Sequence, residues 1–387
     1  MSDIQVIRVA TRSQFREFLK FPKTVYRENV NWVPPLLMEM KEKLDRNLHP
    51  FFEHAEMDLF LCRRGGTTIG RIAAMIDDNH NAYQKEKTGF FGLFECLDDP
   101  EIARALLDAA ADWAATRGME RLRGPVNLSL NDECGLLIDG FDSPPVIMMP
   151  YNPRYYANLL ESCGLTKIKD LFAYAMGKED RVEPRVGSLV DKVRSENKFT
   201  LRKVNLGDIQ EEARRIAVIY NEAWSKNWGF VPWTENEMKH MAAGLKKFAD
   251  PNLVIFAEYK GQSVGFAFGL PNYNEILIRM NGRLFPFGIF KLLLGRKKIK
   301  CVRAPVFGVM EAFRNTGLSY LLFDELYRAS WARGADWGEM SWMLEDNDAV
   351  NRFCLSLGAR HYKTYRIYEK PIEGREAGRG NRGEVTA

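Results

Sequence analysis

Two stretches of the chain alternate apolar and polar residues in the same way. Residues 58 to 64 (DLFLCRR), Gly65-Gly66 and residues 67 to 76 (TTIGRIAAMI) read as two strands joined by a tight turn. Residues 253 to 259 (LVIFAEY), Lys260-Gly261 and residues 262 to 270 (QSVGFAFGL) repeat that grammar. After each hairpin and a further strand the apolar period lengthens to that of a helix. Ile102, Leu106, Ala109, Ala110 and Trp113 share one helical face that stops at Gly118, and the stretch from Leu318 to Gly334 behaves alike. Each half then offers a strand, a helix ending in glycine (YYANLLESCG to Gly164, AVNRFCLSLG to Gly358) and a closing strand. The order hairpin, strand, helix, strand, helix, strand therefore occurs twice, which predicts an internal structural duplication.

The fold class expected is α/β (α+β): two similar folds in tandem, each a mixed, mostly antiparallel sheet flanked by helices. The boundaries read as a first domain at 1–177, a charged linker at 178–197, a second domain at 198–372 and a disordered tail at 373–387, too polar and glycine-rich to pack. Before the second hairpin lie a strand, KFTLRKV, and two helices, IQEEARRIAVIYNEAW and TENEMKHMAAGLKKF. Thr234 and Glu237 open the latter as a capping box.

Composition narrows the setting. The six cysteines form no CxxC pair, so neither a metal site nor a disulfide framework is expected, and a reducing, cytoplasmic compartment fits. The N-terminus lacks a secretory pattern, and no apolar run reaches the roughly 20 residues that span a bilayer. A net charge of +4 is too small for a bulk nucleic-acid binder, and no nucleic-acid partner is expected.

The segment richest in chemistry is APVFGVMEAFRNTGLSYLLFDELYRASWARG. An apolar strand ending at Val309 runs into Arg314-Asn315-Thr316-Gly317-Leu318-Ser319, and a helix begins there. The first N–H groups of a helix are unpaired and point outward, so a small-residue turn at that point can wrap a pyrophosphate, with the helix dipole and an arginine adding favourable charge. Gly317 permits close backbone approach. An ordinary strand-to-helix turn is the plainer reading of the same six residues.

This stretch resembles the acetyl-CoA-binding motif of the GNAT superfamily, (R/Q)xxGx(G/A), and the following ADWGEMSWMLEDNDAVNRFCLSLGARHYKTYRIYEK resembles that superfamily's last strand, helix and closing strands. The resemblance implies two GNAT-type folds in tandem, with an acyl-CoA site formed by Val309, Arg314, Asn315, Thr316, Gly317, Leu318, Ser319 and Asn347. Ser319 replaces the family's last small residue. Cys354 stands where the family commonly has a tyrosine that protonates the departing thiolate; its thiol is a candidate for that proton, and core packing is the other reading. In the first half the matching junction, FFGLFECLDDPEIARALL, lacks the arginine-glycine turn and puts Asp98 and Asp99 where phosphate should sit. That half is expected to bind no CoA and to serve as scaffold and as a wall of the acceptor site.

Acylation of an amine by a thioester needs a base, a donor for the carbonyl and a proton for the thiolate. The backbone near Val309 suits the carbonyl. Three carboxylates suit the base: Glu133, in the polar run GPVNLSLNDECGLLIDGF together with Asn131; Glu345, at a strand end near Asn347; and Glu275. Trp224, Trp228 and Trp233 fall in the loop that covers the acceptor in GNAT folds, where they either line an apolar channel or pack between helices.

GRLFPFGIFKLLLGRKKIK, residues 282–300, mixes large apolar residues with six lysines or arginines and no acid. It suits an interfacial membrane helix, peripheral at the inner membrane, and equally a buried helix with a basic end. With TGFFGLFE, GPVNLSLNDECGLL, PYNPRYYANLLESCGL and NEAWSKNWGFVP, the whole chain looks like a bacterial family of tandem-GNAT proteins related to the bacterial ceramide synthases. That resemblance implies transfer of a fatty acyl group from acyl-CoA to a sphingoid lipid amine. Two rivals share the fold: acetyl transfer to a small amine or peptide, and a non-catalytic CoA-sensing protein.

Overall fold

The computed structural model describes residues 4–180 and 182–372, side chains 245–248 excepted, so the tail expected at 373–387 lies outside the described residues. The first half contributes β1 (Ile4–Arg8), β2 (Ala55–Arg64), β3 (Thr67–Asp77), β4 (Thr88–Cys96), β5 (Arg121–Gly124), β6 (Val126–Asn127), β7 (Glu133–Cys134), β8 (Leu136–Asp139) and β9 (Thr166–Gly177). The second contributes β10 (Thr200–Lys203), β11 (Val254–Tyr259), β12 (Gln262–Pro271), β13 (Cys301–Val309), β14 (Trp337–Leu344) and β15 (Arg360–Pro371). Among the described residues thirteen of these strands form one sheet, in the order β1-β2-β3-β4-β5-β15-β9-β14-β13-β12-β11-β10, with β8 paired to β15 off that path.

The order shows both the duplication and an exchange. Within each half the first four strands are antiparallel neighbours and the next joins parallel, β5 to β4 and β14 to β13. The closing strands then cross over. β15 of the second half pairs with β5 of the first, β9 of the first pairs with β14 of the second, and the two pair with each other from Arg360↔Ala175 to Glu369↔Thr166. Each half thereby covers the other's sheet edge, and fully buried Leu171, Tyr365 and Ile367 fill the seam.

Helices pack where periodicity places them. The Pro100–Ala115 helix buries Ile102, Leu106, Ala110 and Trp113, and the Leu318–Ala332 helix buries Leu318, Leu321, Leu322 and Leu326. Full burial of a large apolar side chain contributes roughly 1.5–3 kcal/mol, so these stripes hold the helices to the sheet. The segment expected as a linker folds as well. Its Pro184–Ser195 helix buries Val186, Val190 and Val193, and Arg194 pairs with Asp324 at 2.8 Å, so it packs beside the Leu318–Ala332 helix as part of the second half. The capping box is present: Thr234 Oγ1 accepts from Glu237 N at 3.2 Å and Glu237 Oε2 accepts from Thr234 N at 2.8 Å.

Candidate active site

β13 and β14 are parallel only from Cys301↔Trp337 to Ala304↔Met340. Beyond that, β13 stays on β12 as far as Val309 and β14 follows β9 through Leu344, so the two strands part at Pro305, which has no N–H to give a ladder. Met310 N donates back to Val264 O at 2.9 Å. Backbone groups alternate in direction along a strand, so the Val309 N–H, one residue earlier, faces the opening between the strands. Past Val309 a short 3-10 turn, Glu311–Thr316, leads to Gly317 at φ 82 and into the Leu318–Ala332 helix. Asn315 and Thr316 are exposed at the turn, Ser319 is half-buried on the first helical turn, and Leu318 anchors that turn in the core. Arg314 Nη2 donates to Ala223 O at 2.7 Å, tying the turn to the end of the Ile209–Trp224 helix.

A cleft of about 690 Å³, counting its open mouth, adjoins the parting strands through Pro305, Val306 and Trp342. Trp224, Trp228 and Trp233 all line it, with Asn131 from the other half. Tyr220 organises two of them: its ring stacks on Trp233 at 4.4 Å and lies 5.0 Å from Trp224, and its hydroxyl donates to Asn131 Oδ1 at 2.9 Å. Asn131 Nδ2 in turn donates to Val231 O at 3.0 Å, and Trp224 Nε1 to Phe307 O at 3.3 Å inside the opening. Trp233 thus packs on the Ile209–Trp224 helix, Trp224 ends that helix, Trp228 lies against Arg123 and Lys169 of the other half, and all three wall the cleft. Buried Arg303 also lines the cleft; it donates through Nε to Ser341 Oγ at 2.9 Å and through Nη1 to Ile147 O at 2.9 Å. Ser341 and Tyr362 hydroxyls both donate to buried Glu339, whose carboxyl burial pushes above its usual range against the pull of Arg303. Sequence reasoning missed this network, although a charge inside each of the apolar runs CVRAPVFGV and WGEMSWML was the signal for it.

The remaining candidates separate by what holds them. Glu275 accepts from Lys300 N and Cys301 N, both at 2.9 Å, and secures the start of β13. Glu345 is paired with Lys167 at 2.6 Å and accepts from Asp170 N at 3.0 Å, which commits its carboxylate to the β9–β14 seam. Asn347 accepts from Val350 N at 3.3 Å and caps the Asp348–Ser356 helix. Cys354 is fully buried with Sγ 4.0 Å from Met340 Sδ, and burial pushes its thiol up to about 12; it lines neither cleft and is a packing contact. Glu133 differs. It lines a second chamber beside the Asn131 loop, and no described residue hydrogen-bonds its carboxylate.

In the first half the equivalent opening is closed. β4 and β5 are parallel from Thr88↔Arg121 to Phe90↔Arg123, but the chain then fills the gap with β6. A Cβ on Gly92 would stand 1.8 Å from Val126 O, and Asn127 Oδ1 accepts from Leu93 N at 2.9 Å. Asp99 caps the following helix by accepting from Glu101 N at 2.9 Å and pairs with Arg64 at 2.9 Å.

The chain is 37% identical over 378 residues, 96% of its length and 98% of the relative's, to the bacterial ceramide synthase of Caulobacter vibrioides. It belongs to the bacterial ceramide synthase family of tandem-GNAT N-acyltransferases. Protein YghO of Escherichia coli is a second such relative, 37% identical over 368 residues, covering 93% of this chain and 94% of that one. No protein-family model matches. Among solved structures, a tandem GNAT protein from the clavulanic acid biosynthesis pathway superposes with TM-score 0.58 at 12% identity over 95% of this chain and 98% of that one. A GCN5-related N-acetyltransferase from Sphaerobacter thermophilus gives 0.54 at 14% identity over 95% and 96%. These likenesses are of fold, and they place this ceramide synthase relative on a doubled GNAT scaffold.

Proposed function

We propose that the chain transfers an acyl group from acyl-CoA to the amine of a sphingoid-type lipid at a membrane surface. The observation that carries this reading is asymmetry between like halves: one strand opening is intact beside a glycine turn and an aromatic cleft, and its counterpart is plugged. The pyrophosphate binds the first-turn N–H groups after Gly317, near Arg314, Asn315, Thr316 and Ser319, and the thioester lies between β13 and β14. Val309 N–H donates to the carbonyl oxygen as charge builds there. The neutral amine nitrogen attacks the carbonyl carbon, the C–N bond forms, the C–S bond breaks, the nitrogen's extra proton passes to Glu133, and the sulfur leaves as a thiolate that takes its proton from water in the open cleft.

The lipid part of the reading rests on the Caulobacter relative's name and on the surface of residues 282–300. Phe285, Phe287, Phe290, Leu293 and Leu294 are 54–76% exposed, and Arg283, Lys291, Arg296, Lys297 and Lys298 are exposed around them. Apolar side chains enter the bilayer and cations meet anionic headgroups. No described helix is long and apolar enough to cross a membrane, which suits a peripheral attachment. The test is a mass-spectrometric transfer assay with purified protein, detergent, a long-chain sphingoid amine and either palmitoyl-CoA or acetyl-CoA. Amide formed from palmitoyl-CoA and lost in Arg314→Ala/Gly317→Glu supports the proposal. Product from small amines and acetyl-CoA alone refutes the lipid assignment.

A further inference from the structure

The larger cavity belongs to the half that has lost its phosphate turn. Counting its open mouth it measures about 1350 Å³, against about 690 Å³ counted the same way for the cleft at the open strands. Its position follows from the duplication. The cleft of the second half borders β13 at Arg303, Pro305 and Val306, and the chamber borders the matching strand β4 at Leu93, Phe94 and Glu95. The first half therefore has a hollow beside β4 where the second has its cleft beside β13, although β6 fills the strand opening itself.

Three features say what the chamber takes. Most of its wall is apolar, including Trp32, Val33, Leu36, Met40 and Ile147. Its floor is polar and buried: Tyr156 O–H donates to Glu95 Oε2 at 2.8 Å, Arg71 Nη2 lies 3.7 Å from Glu95 Oε1, and the Arg71 side chain is 6% exposed. Arg71 Nε has no hydrogen-bond partner among the described residues, and a buried donor left so costs stability until an acceptor arrives. Burial also holds the Glu95 carboxyl up at about 7, against the pull of Arg71. Its rim, finally, meets the exposed apolar segment. Val33, Leu36, Ile147 and Leu277 line the chamber and also pack in the small core with Met280, Leu284 and Leu292 of the segment that carries exposed Phe287 and Phe290. Leu37 N donates to Gly282 O at 3.2 Å across that junction.

We infer that this chamber is the binding site of the amine-bearing lipid, entered head first from the 282–294 surface, with an oxygen of the lipid head accepting from the Arg71 guanidinium and the hydrocarbon lying among Trp32, Val33, Leu36 and Ile147. A hydroxyl suits the floor because it accepts from the guanidinium and donates to Glu95 at once. The amine then lies toward Glu133, which shares the chamber wall with β4: Glu133 pairs with Asn127, and Asn127 accepts from Leu93. Met148 borders both cavities, so the chamber and the thioester cleft are neighbours. The acyl chain and the acceptor chain accordingly lie in different halves of the protein. This placement rests on the function proposed above.

Photocrosslinking of the full chain tests it. Two sphingoid amines, one with a diazirine near the head and one with a diazirine at the chain end, are irradiated with the protein in the absence of CoA, and labelled peptides are mapped by mass spectrometry. Head label on peptides bearing Arg71, Glu95 or Tyr156, with chain-end label on Pro34–Leu36 or Leu277, is expected. Label confined to the Trp224–Trp233 cleft, or the two labels in reverse order, overturns the inference while leaving the sphingoid reaction intact. Steady-state kinetics of Val33→Trp and Ile147→Trp, each checked for native melting, gives a second readout. Overfilling the chamber is expected to raise KM for the amine about tenfold or more while KM for acyl-CoA stays within about twofold. A rise confined to acyl-CoA overturns the inference. Failure of the parent reading looks different: no amide forms from any sphingoid amine, yet the chamber still takes the label.

Discussion

His54 Nε2 lies 3.3 Å from Glu237 Oε1, and this contact joins the two halves through side chains that are 10% and 18% exposed. His54 Nδ1 is 3.0 Å from Asp77, so the ring bridges two carboxylates, and Glu237 is also the capping-box acid of its own helix. Burial disfavours the imidazolium, but hydrogen bonds to Asp77 and Glu237 prevail and raise its pKa to about 10. A raised histidine stabilises the fold fully below its unfolded pKa of 6.5 and loses that contribution as pH climbs through about 10. His54→Gln is therefore expected to cost on the order of 3 kcal/mol near pH 6, with the gap to the parent narrowing toward about pH 10. Paired denaturant titrations across that range check this, and a gap that does not change with pH refutes a charged bridge.

Gly317 is the hinge of the turn to which we assign the pyrophosphate. At φ 82 it occupies backbone space that side chains disfavour, and a Cβ there would stand 2.6 Å from Val193 Cγ2 and 3.3 Å from Leu189 Cδ1. The helix at 184–195 thus buttresses the turn from below. Gly317→Ala is expected to cost about 1–3 kcal/mol of stability and to weaken acyl-CoA at least about tenfold. Adding Val193→Ala should relieve the clash and not the backbone strain, so calorimetry should show partial recovery of Tm. Full recovery would mean that strain at Gly317 is unimportant.

Cys354 and Glu133 are expected to diverge under substitution. Cys354→Ala removes a thiol that touches Met340 in the core, so a loss of about 1–2 kcal/mol with kcat within about twofold is expected. A fall of about 100-fold with intact folding would restore the thiol as the acid.

Glu133→Gln keeps the shape of a chamber-lining side chain and removes its basicity. A kcat lower by roughly 10²–10⁴, with acyl-CoA KM unchanged, is expected if it takes the amine proton. Glu345→Gln, by contrast, breaks the pair with Lys167 and should show itself in melting alone.

Local grammar was readable in the sequence, and long-range pairing was not. Both hairpins appear within a few residues of their expected ends, and β13 stops at Val309 as its apolar run does. Gly317, read as a point of close backbone approach, also adopts a left-handed backbone that the sequence reading does not specify. The strand exchange left no local trace, because Tyr365↔Leu171 and its neighbours are chosen by partners some two hundred residues apart. Residues 178–197 misled for another reason. Their many charges suggested a connector, yet Val186, Val190 and Val193 recur at helical spacing, and that stripe is what packs. Arg303 and Glu339 escaped notice because each strand reads as core, and only the fold brings Ser341 and Tyr362 to them.

The 282–294 surface lets the proposed membrane engagement be tested apart from the chemistry. Its exposed phenylalanines and leucines lie beside exposed lysines and arginines, so two forces are expected, apolar insertion and attraction to anionic lipid. Phe287→Ser/Phe290→Ser/Leu294→Ser should abolish sedimentation with anionic vesicles, and Lys297→Glu/Lys298→Glu should weaken it roughly fivefold for each cation lost, at about 1 kcal/mol per charge near the headgroups. Raising salt should imitate the second variant and not the first, because screening acts on charge alone. For an amine dissolved in detergent kcat should survive both variants, since neither touches the glycine turn or Glu133, with any rise in KM for the amine confined to the serine variant, which lies at the proposed entrance to the chamber. Vesicle binding that is indifferent to all five substitutions would mark the patch as a surface for something other than lipid.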